Sequence, residues 1–389
     1  MSDFIISSGE KKEIRSLFPH VQNGNIYLNH AAISPLSNKV TEALQAFLKD
    51  RNQGHVENFK SWMQITDETR INLAGLIHAK DPRHITFLGN TSEGISAVAE
   101  GYDWKEGDEV ILNTLEFPSN VHPFRILEKR GVRLIYVEPD NKGIIKPERL
   151  EHVITSHTKM LSISAVQYLS GLKADLKTIG ALCKKHKIFL IVDGIQALGA
   201  TKIDVQDFGI DALASGCHKW LMAPMGIGFL YLSERLQNVL SPYKTGWLSV
   251  EEPWELSNFE QNWLPVSKHL EVGTLNMMGI IGLNASLSVF NRYGTDKLFA
   301  EISALGNYTY ETLSRLSAVQ LITPEDSTFR SGIITFSVKG INNPDEVVQE
   351  LSEKNNITIS AREGLFRISP HFYNTKNEID TVLDEILAK

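Results

Sequence analysis

One lysine of this sequence lies in an unusual setting for its residue type. Lys219 belongs to the stretch ASGCHKWLMAPMGIG (residues 214–228), in which small and apolar residues precede and follow it. A lysine that only keeps a protein soluble is expected among polar neighbours on a helix face. Two interpretations remain open: Lys219 is buried and reacts as a nucleophilic amine, or it lies at a loop end and its amine extends to water.

A first polar cluster follows the apolar run HITFLG. The residues NTSEG (90–94) come directly after this run and precede a predicted helix. Thr91 and Ser92 are consistent with a helix N-cap, which is a common role for such residues. The alternative is a phosphate site, in which hydroxyl and backbone N–H groups bind an anion, but the motif taken alone favours the cap.

Two further runs end in residues of complementary chemistry. IFLIVD ends in Asp193, whose burial requires a cation or a hydrogen-bond donor; otherwise it is a solvated strand end or a cap. ALASG leads to Ser215, His218 and Lys219. Together with the hydroxyl groups of the first cluster, these residues describe a ligand with a phosphate, a basic ring nitrogen and a carbonyl group that condenses with an amine. Pyridoxal 5′-phosphate has all three features, and its usual protein partners are a lysine and an Asp or Arg.

An alternation of strand-like and helical patterns positions these residues. Open α/β sheets bind ligands at the carboxyl ends of their strands, where the polar residues lie. Unbroken apolar runs are typical of strands buried on both faces, and helical patterns occur between them at 119–130 and 175–187. We therefore predict an α/β fold whose large domain has a mostly parallel seven-stranded sheet covered by helices, with the last run as a candidate antiparallel strand. The predicted strands are HITFLG (84–89), EVILN (109–113), RLIYVE (133–138), KMLSISAV (159–166), IFLIVD (188–193), ALASG (212–216) and IGFLYLS (227–233).

The pattern changes after about residue 240. A segment rich in Pro, Trp and acidic residues is predicted to be irregular, and 275–293 is predicted to be one long helix. We expect a large cofactor-binding domain over 15–260, and an interface helix with a small C-terminal α+β domain over 261–389, on which residues 1–14 pack. The elements predicted for the small domain are SGIITFSV (331–338), DEVVQELSEKN (345–355), ITISA (357–361), LFRIS (365–369) and a helix from Lys376.

Composition excludes several classes of protein. Hydrophobic residues make up 42% and charged residues 22% of the 389 residues, and the net charge of -7 implies no general attraction to nucleic acid or anionic membranes. The N-terminus carries Asp3, Glu10 and Glu13 and resembles no signal peptide, and no run approaches the roughly 18 apolar residues of a membrane span. Cys183 and Cys217 are too few for a zinc site or a disulfide framework. We expect a cytoplasmic protein without a metal site.

The segment IVDGIQALGATKIDVQDFGIDALASGCHKWLMAPMGIGFLYL closely resembles the cofactor-binding core of the class V aminotransferase family, which are fold-type I pyridoxal-phosphate enzymes. That family also includes cysteine desulfurases, selenocysteine lyases, kynureninases and isopenicillin-N-epimerase-like proteins. The resemblance extends over nearly the whole chain. It continues, in the family's order, through YLNHAAISPLS, GNTSEGIS, LEFPSNVHPF, VGTLNMMGIIG and LFRISPHFYNTKNEID.

The resemblance implies roles for the residues around the cofactor. Lys219 would form a Schiff base with pyridoxal phosphate and move protons at the substrate, and Asp193 would keep the pyridine nitrogen protonated. Gln196 and Gln167 would lie beside the phenolic oxygen. Thr274 would bind the phosphate of the neighbouring subunit, which implies a homodimer. The residues implied to hold the phosphate of their own subunit are Thr91, Ser92, Ser215 and His218.

The resemblance also places residues around the substrate. Phe117 would stack on the pyridine ring, where many relatives have a histidine; phenylalanine stacks but moves no proton, and simple core packing is the alternative. Arg367 would bind the substrate α-carboxylate through its planar fork. Asn29 and His30 would line the site from the N-terminal segment, although His30 is equally consistent with a loop residue that satisfies local hydrogen bonds.

The sequence leaves the roles of four further residues open. Arg362 contributes either to the substrate site or to a surface salt bridge. His55 is a further candidate for the site from the N-terminal segment. Trp247 and Trp254 either shape a pocket for a bulky side chain or pack within surface loops.

The reaction is the least determined property. Persulfide-forming cysteine desulfurases need a mobile thiol near the C-terminal substrate-binding region, and ITISAREGLFRISPH contains none. Cys183 lies on a predicted helix and Cys217 is two residues from Lys219, so both are predicted to pack structurally. We favour an aminotransferase, with an isopenicillin-N-epimerase-like epimerase or a Cβ lyase of the kynureninase or selenocysteine-lyase type as alternatives. A cysteine desulfurase and a non-catalytic scaffold rank below them.

Overall fold

A computed structural model of the protein describes residues 5–54 and 56–389. Its strands are short, and most belong to one of two sheets. Along the chain they are β1 (Ile26–Tyr27), β2 (Ile85–Leu88), β3 (Glu109–Asn113), β4 (Arg133–Val137), β5 (Thr158–Ser164), β6 (Phe189–Asp193), β7 (Ala212–Gly216), β8 (Gly228–Leu232), β9 (Val319–Leu321), β10 (Ile334–Val338), β11 (Ile357–Thr358), β12 (Ser360–Arg362) and β13 (Leu365–Ile368).

In the described part of the chain, a seven-stranded sheet has the order β2-β8-β7-β6-β5-β3-β4. β8 runs antiparallel to both of its neighbours, β2 and β7, whereas the other neighbouring strands are parallel. All seven apolar runs identified in the sequence form this sheet, and IGFLYLS is its antiparallel member. The predicted mostly parallel α/β architecture is therefore confirmed.

Helices cover the sheet, and none of those in the described residues is long and apolar enough to cross a membrane. The predicted helices at 175–187, 275–293 and 345–355 are confirmed. The helix predicted over 119–130 is wrong: α6 is a single turn between 3₁₀ segments, because Pro118 and Pro123 interrupt the backbone hydrogen bonding. The α-helices are α1 (Ser8–Ser16), α2 (Pro19–Gln22), α3 (Asn38–Gln53), α4 (Phe59–Ile77), α5 (Thr91–Gly101), α6 (His122–Arg125), α7 (Pro147–Val153), α8 (Leu176–His186), α9 (Glu234–Gln237), α10 (Val266–His269), α11 (Met277–Tyr293), α12 (Thr295–Ser314), α13 (Pro344–Asn355) and α14 (Lys376–Leu387).

The central strands are buried on both faces, as their unbroken apolar runs predict. In β3, Ile111 packs in one hydrophobic cluster while Val110 and Leu112 pack in another. In β6, Leu190 and Ile191 divide between the same two clusters. Each such side chain contributes about 1.5–3 kcal/mol to the free energy of unfolding, so the sheet holds the ends of its strands rigidly.

The C-terminal part contains a four-stranded sheet with the order β12-β13-β10-β9 and its own hydrophobic cluster. β12 and β13 are joined directly through Glu363 and Gly364, which have left-handed backbone angles (φ 52° and 73°). β1 pairs with β11, and Asn29 forms a bridge to Ser369, so the chain near residues 26–29 is hydrogen-bonded to this part. The predicted division at residues 14 and 260 stays a prediction.

A buried ion pair holds the N-terminal helix α1 in place. Lys11 Nζ lies 2.5 Å from Glu301 Oε1 and also donates to the carbonyl oxygens of Phe372 (2.8 Å) and Asn374 (2.9 Å). We expect Lys11→Ala to lower the free energy of unfolding by about 3–5 kcal/mol, because it leaves a buried carboxylate without a partner. Urea unfolding at pH 7 measures the change. Lys12→Ala, at the exposed neighbouring position, should change stability by less than about 0.5 kcal/mol, and an equal effect of both variants would contradict the assignment.

Candidate active site

The polar ends of three strands of the seven-stranded sheet meet at one cavity of about 570 Å³. The cavity lies where the chain leaves the carboxyl ends of β2, β6 and β7, which is the edge at which open α/β sheets bind ligands. The residues singled out in the sequence that line it are Thr91, Ser92, Phe117, Asp193, Gln196, His218, Lys219, Arg362 and Arg367.

Lys219 presents its amine to this cavity. Burial lowers the pKa of Lys219 to about 8, with Asp193 opposing the shift and the charges of Arg367 and Arg362 adding to it. The amine therefore loses its proton close to neutral pH, and the neutral form is the nucleophilic one. Its nitrogen also lies 5.9 Å from the centre of the Phe117 ring. Of the two interpretations of this lysine, the structure favours the reactive amine, because the side chain is half-buried and lines the cavity.

A tight backbone arrangement fixes the position of Lys219. The N–H of Met222 donates to the carbonyl oxygen of Lys219 (2.9 Å), and Met222 has a left-handed φ of 50°. Gly199 has a φ of +97°, and a Cβ there would lie 2.3 Å from the carbonyl oxygen of Trp220. The chain on both sides of the turn is thus packed directly against backbone, so the lysine stem starts from a rigid point.

Asp193 faces Lys219 from the end of β6. Its carboxylate is 2% exposed and accepts hydrogen bonds from the N–H of Ile195 (3.0 Å) and the hydroxyl of Ser119 (3.1 Å). Burial raises the pKa of Asp193 to about 6, and the nearby charge of Glu116 raises it further, while Ile195, Lys219 and Ser119 lower it. Asp193 is therefore a buried acid that a positively charged or N–H group in the cavity would stabilise.

Glu116 organises the loop that carries the Phe117 ring, and the sequence analysis missed it. Its Oε1 accepts from Asn113 Nδ2 (2.5 Å), the N–H of Ser164 (2.9 Å) and Gln167 Nε2 (3.0 Å). Its Oε2 accepts from Asn120 Nδ2 (2.9 Å) and the Ser164 hydroxyl. Its position directly before the predicted stacking residue was the available signal.

The amide of Gln196 has a fixed orientation at the cavity wall. The indole Nε1 of Trp220 donates to Gln196 Oε1 (2.9 Å), and Gln196 Nε2 donates to the carbonyl oxygen of Ala31 (2.9 Å). Because an indole nitrogen only donates, the oxygen of this amide must face Trp220. Gln196 therefore keeps its second amide N–H as a donor for a ligand in the cavity.

The N-terminus of α5 forms another wall. Asn90 is the cap, since its side chain accepts from the N–H of Glu93 (3.0 Å), so Thr91 and Ser92 are free of the capping role that the sequence left open. The Thr91 hydroxyl oxygen accepts from the N–H of Gly216 (2.9 Å). The first N–H groups of a helix lack intrahelical acceptors and attract anions. This wall suits a phosphate.

Arg367 enters the cavity from β13 and is 2% exposed. Its guanidinium donates to the carbonyl oxygen of Tyr168 (2.6 Å) and to the Ser360 hydroxyl (3.2 Å). Burial lowers the pKa of Arg367 to about 10, and the charge of Arg362 adds to the shift. No carboxylate lies within 4 Å of Arg367 among the residues that the structure describes. A buried guanidinium without an acidic partner is a suitable site for a ligand carboxylate.

Several predicted site residues lie outside the cavity. The Ser215 hydroxyl donates to the carbonyl oxygen of Gly216 (2.9 Å), and Asn29 lies in the N-terminal strand segment. His30 is fully buried, with its ring nitrogens 2.8 Å from the carbonyl oxygen of Ser369 and 2.8 Å from the hydroxyl of Tyr373. Burial lowers the pKa of His30 well below its usual range, so this histidine satisfies local hydrogen bonds in its neutral form. Gln167 also lies behind the cavity wall, bound to Glu116.

Thr274 lies on a separate surface. It is exposed and lines an apolar groove of about 730 Å³, together with Trp247 and Trp254. The two indole rings form an edge-to-face pair with centres 5.2 Å apart. Trp247 and Trp254 therefore do not line the Lys219 cavity in this chain. The remaining candidate, His55, lies outside the described residues.

Neither cysteine of the protein is accessible. Burial raises the pKa of Cys183, in α8, to about 12, and burial also raises the pKa of Cys217, which is 0% exposed. Both are free thiols, and neither lines the cavity. In the part of the chain that the structure describes, no group of three or more His, Cys, Asp or Glu side chains is arranged to hold a metal ion.

Comparison with known proteins agrees with the geometry. The model of the family described as "Aminotransferase class-V" matches residues 26–382. A probable cysteine desulfurase of Borreliella burgdorferi is 31% identical over 386 residues, which cover 92% of this chain and 90% of that protein. A probable cysteine desulfurase of Methanothermobacter thermautotrophicus is 28% identical over 97% of both chains. The crystal structure of the cysteine desulfurase CsdA of Escherichia coli (S-sulfonic acid) has a TM-score of 0.87 and 25% identity, and the match covers 97% of this chain and 98% of that one.

These relatives carry the name of a reaction that the sequence analysis ranked below transamination. The cavity also has the features that pyridoxal phosphate requires: a nucleophilic amine at Lys219, a buried acid at Asp193, an amide donor at Gln196 and a helix N-terminus beginning at Thr91. The chain therefore belongs to the class V aminotransferase family and is a pyridoxal-phosphate-dependent enzyme.

Proposed function

We propose that the protein cleaves the carbon–sulfur bond at Cβ of a cysteine-derived amino acid and releases the sulfur to solution. Its relatives are named cysteine desulfurases, which supports chemistry at this bond. One observation separates the proposal from a desulfurase that stores sulfur on its own thiol: both cysteines are buried away from the cavity. In addition, Glu363 and Gly364 close the turn beside Arg362 without a segment that would carry a mobile thiol.

Lys219 and Asp193 perform the central steps in this proposal. Pyridoxal phosphate supplies an aldehyde that condenses with amines and a ring that accepts electrons from Cα. Lys219 would hold the cofactor through its amine, and the same amine, when free, would take the Cα proton of the substrate. Asp193 would bind the ring nitrogen in its protonated form, Gln196 would donate its remaining N–H to the phenolic oxygen, and Arg367 would bind the substrate α-carboxylate.

The phosphate end and the subunit interface belong to the same proposal. Thr91, Ser92 and His218 hold the phosphate at the N-terminus of α5, and Ser215 supports this wall through its bond to Gly216. Asn29, His30 and Gln167 support the site from behind rather than contacting the substrate. We also propose a homodimer, because Thr274 is exposed on an apolar groove and reaches a phosphate only across an interface between two copies. The exposed tryptophan pair in this groove would pack at that interface.

Phe117 determines how the sulfur leaves. Phe117 is 46% exposed and lines the cavity, and its ring packs edge-to-face on Tyr168 with ring centres 5.2 Å apart, so one face is available for an aromatic ring. Phenylalanine donates no proton, so the departing sulfur cannot be protonated at this position. Sulfur groups that are stable as anions at neutral pH should therefore leave fastest.

Transamination is the second candidate. It needs one base that moves a proton at Cα, and Lys219 meets that requirement without help from the position that Phe117 occupies. The same absence of an accessible thiol is compatible with it. The products distinguish the two reactions.

A product assay tests the proposal directly. Elimination from an S-substituted cysteine consumes water and yields one equivalent each of thiol, pyruvate and ammonia. The Cβ–S electron pair leaves with the sulfur, and the three-carbon fragment that remains is hydrolysed to pyruvate and ammonia. We expect an arenethiol with pyruvate and ammonia from S-aryl cysteines, and free cysteine persulfide with pyruvate and ammonia from L-cystine, when each is incubated with the holoenzyme. Alanine together with a persulfide on the protein would overturn the proposal, and pyridoxamine phosphate with a 2-oxo acid and no thiol would support transamination instead.

The cysteine variants provide the control for this assay. Cys217→Ala and Cys183→Ala remove every thiol of the protein, so an elimination enzyme should keep its rate within about twofold if the variants fold. A desulfurase that uses its own thiol loses the sulfur-transfer reaction completely in one of them. Circular dichroism and cofactor absorbance establish that each variant is folded and loaded.

A further inference from the structure

A second guanidinium lies at the same cavity as Arg367. In the β12–β13 hairpin, Ser360 pairs with Arg367 and Arg362 pairs with Leu365. Residues two apart in a strand share a face, so Arg362, Ser360 and Arg367 point to the same side of the hairpin. The bond between Arg367 Nε and the Ser360 hydroxyl (3.2 Å) agrees with this alignment. Both arginines line the cavity that contains Lys219.

Arg362 has no anionic partner among the residues that the structure describes. Its guanidinium donates to the carbonyl oxygen of Ala361 (3.0 Å), and no carboxylate lies within 4 Å of it in the described residues. Its charge lowers the pKa values of both Lys219 and Arg367, so the positive groups are close together. One substrate α-carboxylate satisfies one of these guanidinium groups and leaves the other unpaired.

The acid nearest in sequence does not cancel this charge. Glu363 lines the same cavity, but its carboxylate is not within 4 Å of Arg362 or Arg367. Its charge instead contributes to raising the pKa of Tyr168, after the larger effect of burial. Glu363 therefore acts at the Tyr168 side of the cavity, and the region between Lys219 and the two arginines stays positive.

We propose that Arg362 binds an anionic group on the substrate side chain, so that the enzyme prefers amino acids with a second negative charge at Cβ or Cγ. This inference rests on the proposed function in one respect, the binding of the α-carboxylate by Arg367. It deepens that function, because the Phe117 position offers no proton to a departing group. A guanidinium beside Cβ stabilises negative charge on the leaving sulfur group without any proton transfer.

Binding of unreactive amino acids to the holoenzyme tests the proposal without turnover. The change in cofactor absorbance on titration gives dissociation constants for L-aspartate and L-glutamate, which carry a side-chain anion and no sulfur leaving group, and for L-asparagine, which is neutral and similar in size to aspartate. We expect the anionic ligands to bind at least about tenfold tighter than asparagine to the wild-type enzyme. In Arg362→Gln this preference should disappear, while the constant for asparagine changes by less than about threefold.

Two further variants separate charge from structure. Arg315→Gln removes an exposed arginine at the end of α12 and should leave all three constants unchanged. Arg367→Gln should weaken all three ligands alike, because each has an α-carboxylate. Equal weakening of aspartate and asparagine in Arg362→Gln, or no preference in the wild-type enzyme, overturns the proposal. Failure of the proposed lyase function can be told apart from failure of this inference, because the binding preference is measured without formation of products.

Discussion

Replacement of Lys219 with alanine is expected to lower kcat by at least about 10⁴-fold. The variant loses both the covalent attachment of the cofactor and the base that takes the Cα proton. The lowered pKa of about 8 that burial gives Lys219 prepares its amine for both tasks. Among the residues that the structure describes, no other lysine lines this cavity. Turnover is measured by release of product, and attachment is measured by borohydride reduction followed by peptide mass spectrometry.

Lys268 provides a matched control for this experiment. Burial lowers its pKa to about 8 as well, yet it lines a different cavity beside α10. Lys268→Ala should keep kcat within about twofold, because an amine with a lowered pKa contributes nothing to the reaction unless it lies close to the cofactor. Reduction should attach the cofactor to Lys219 in the wild-type enzyme and in the Lys268 variant. Attachment at Lys268, or substantial turnover by the Lys219 variant, would contradict the assignment.

The sequence was most informative where strands end. Asp193 ends β6 and Lys219 follows β7; these strands are parallel neighbours, and parallel strands bring their carboxyl ends to one edge. The meeting of a carboxylate, a lysine and a helix N-terminus follows from that rule. The composition of the runs also predicted their burial on both faces, because a strand packed between two layers of helices has no polar face.

The sequence was least informative where a role depends on contacts across long separations. Glu116 binds side chains up to 51 residues away, and Ser119 reaches Asp193 over 74 residues. Neither contact has a local pattern. The orientation of the Gln196 amide depends on Trp220 in the same way. His30 and Ser215 match family positions by type, yet their polar atoms bind within the protein.

Replacement of Asp193 with asparagine is expected to have opposite effects on activity and stability. In the holoenzyme, an uncharged amide no longer holds the ring nitrogen in its protonated form, so we expect kcat to fall by about 10²–10⁴-fold. In the cofactor-free protein, the same change removes a buried carboxylate that, within the described part of the chain, has no paired cation and accepts hydrogen bonds only from Ser119 and Ile195. We therefore expect the cofactor-free variant to be more stable than the wild type near pH 7.

The direction of this stability change follows from the pKa. The folded-state pKa of Asp193 is raised from 3.8 to about 6, so the folded protein binds more protons than the unfolded chain between these values. The free energy of unfolding therefore falls as pH rises through this window, and the loss of about 3 kcal/mol is complete above pH 6. Asparagine removes that loss, although it forfeits a hydrogen bond worth about 1 kcal/mol, and a net gain of about 2 kcal/mol remains.

Urea unfolding of the cofactor-free proteins at pH 4 and pH 7.5 measures this difference. The gain from Asp193→Asn should be present at pH 7.5 and largely absent at pH 4, where the wild-type carboxyl group is protonated in the folded state. Asp211→Asn is the control, because that buried aspartate is paired with Arg235, and its replacement should destabilise the protein at pH 7.5. A cofactor-free Asp193→Asn protein less stable than wild type at pH 7.5 would show that Asp193 contributes to folding. We expect the opposite result, a cofactor-free variant more stable than the wild type at pH 7.5. The buried charge of Asp193 then lowers the free energy of unfolding of the empty protein, and its role is to bind the cofactor.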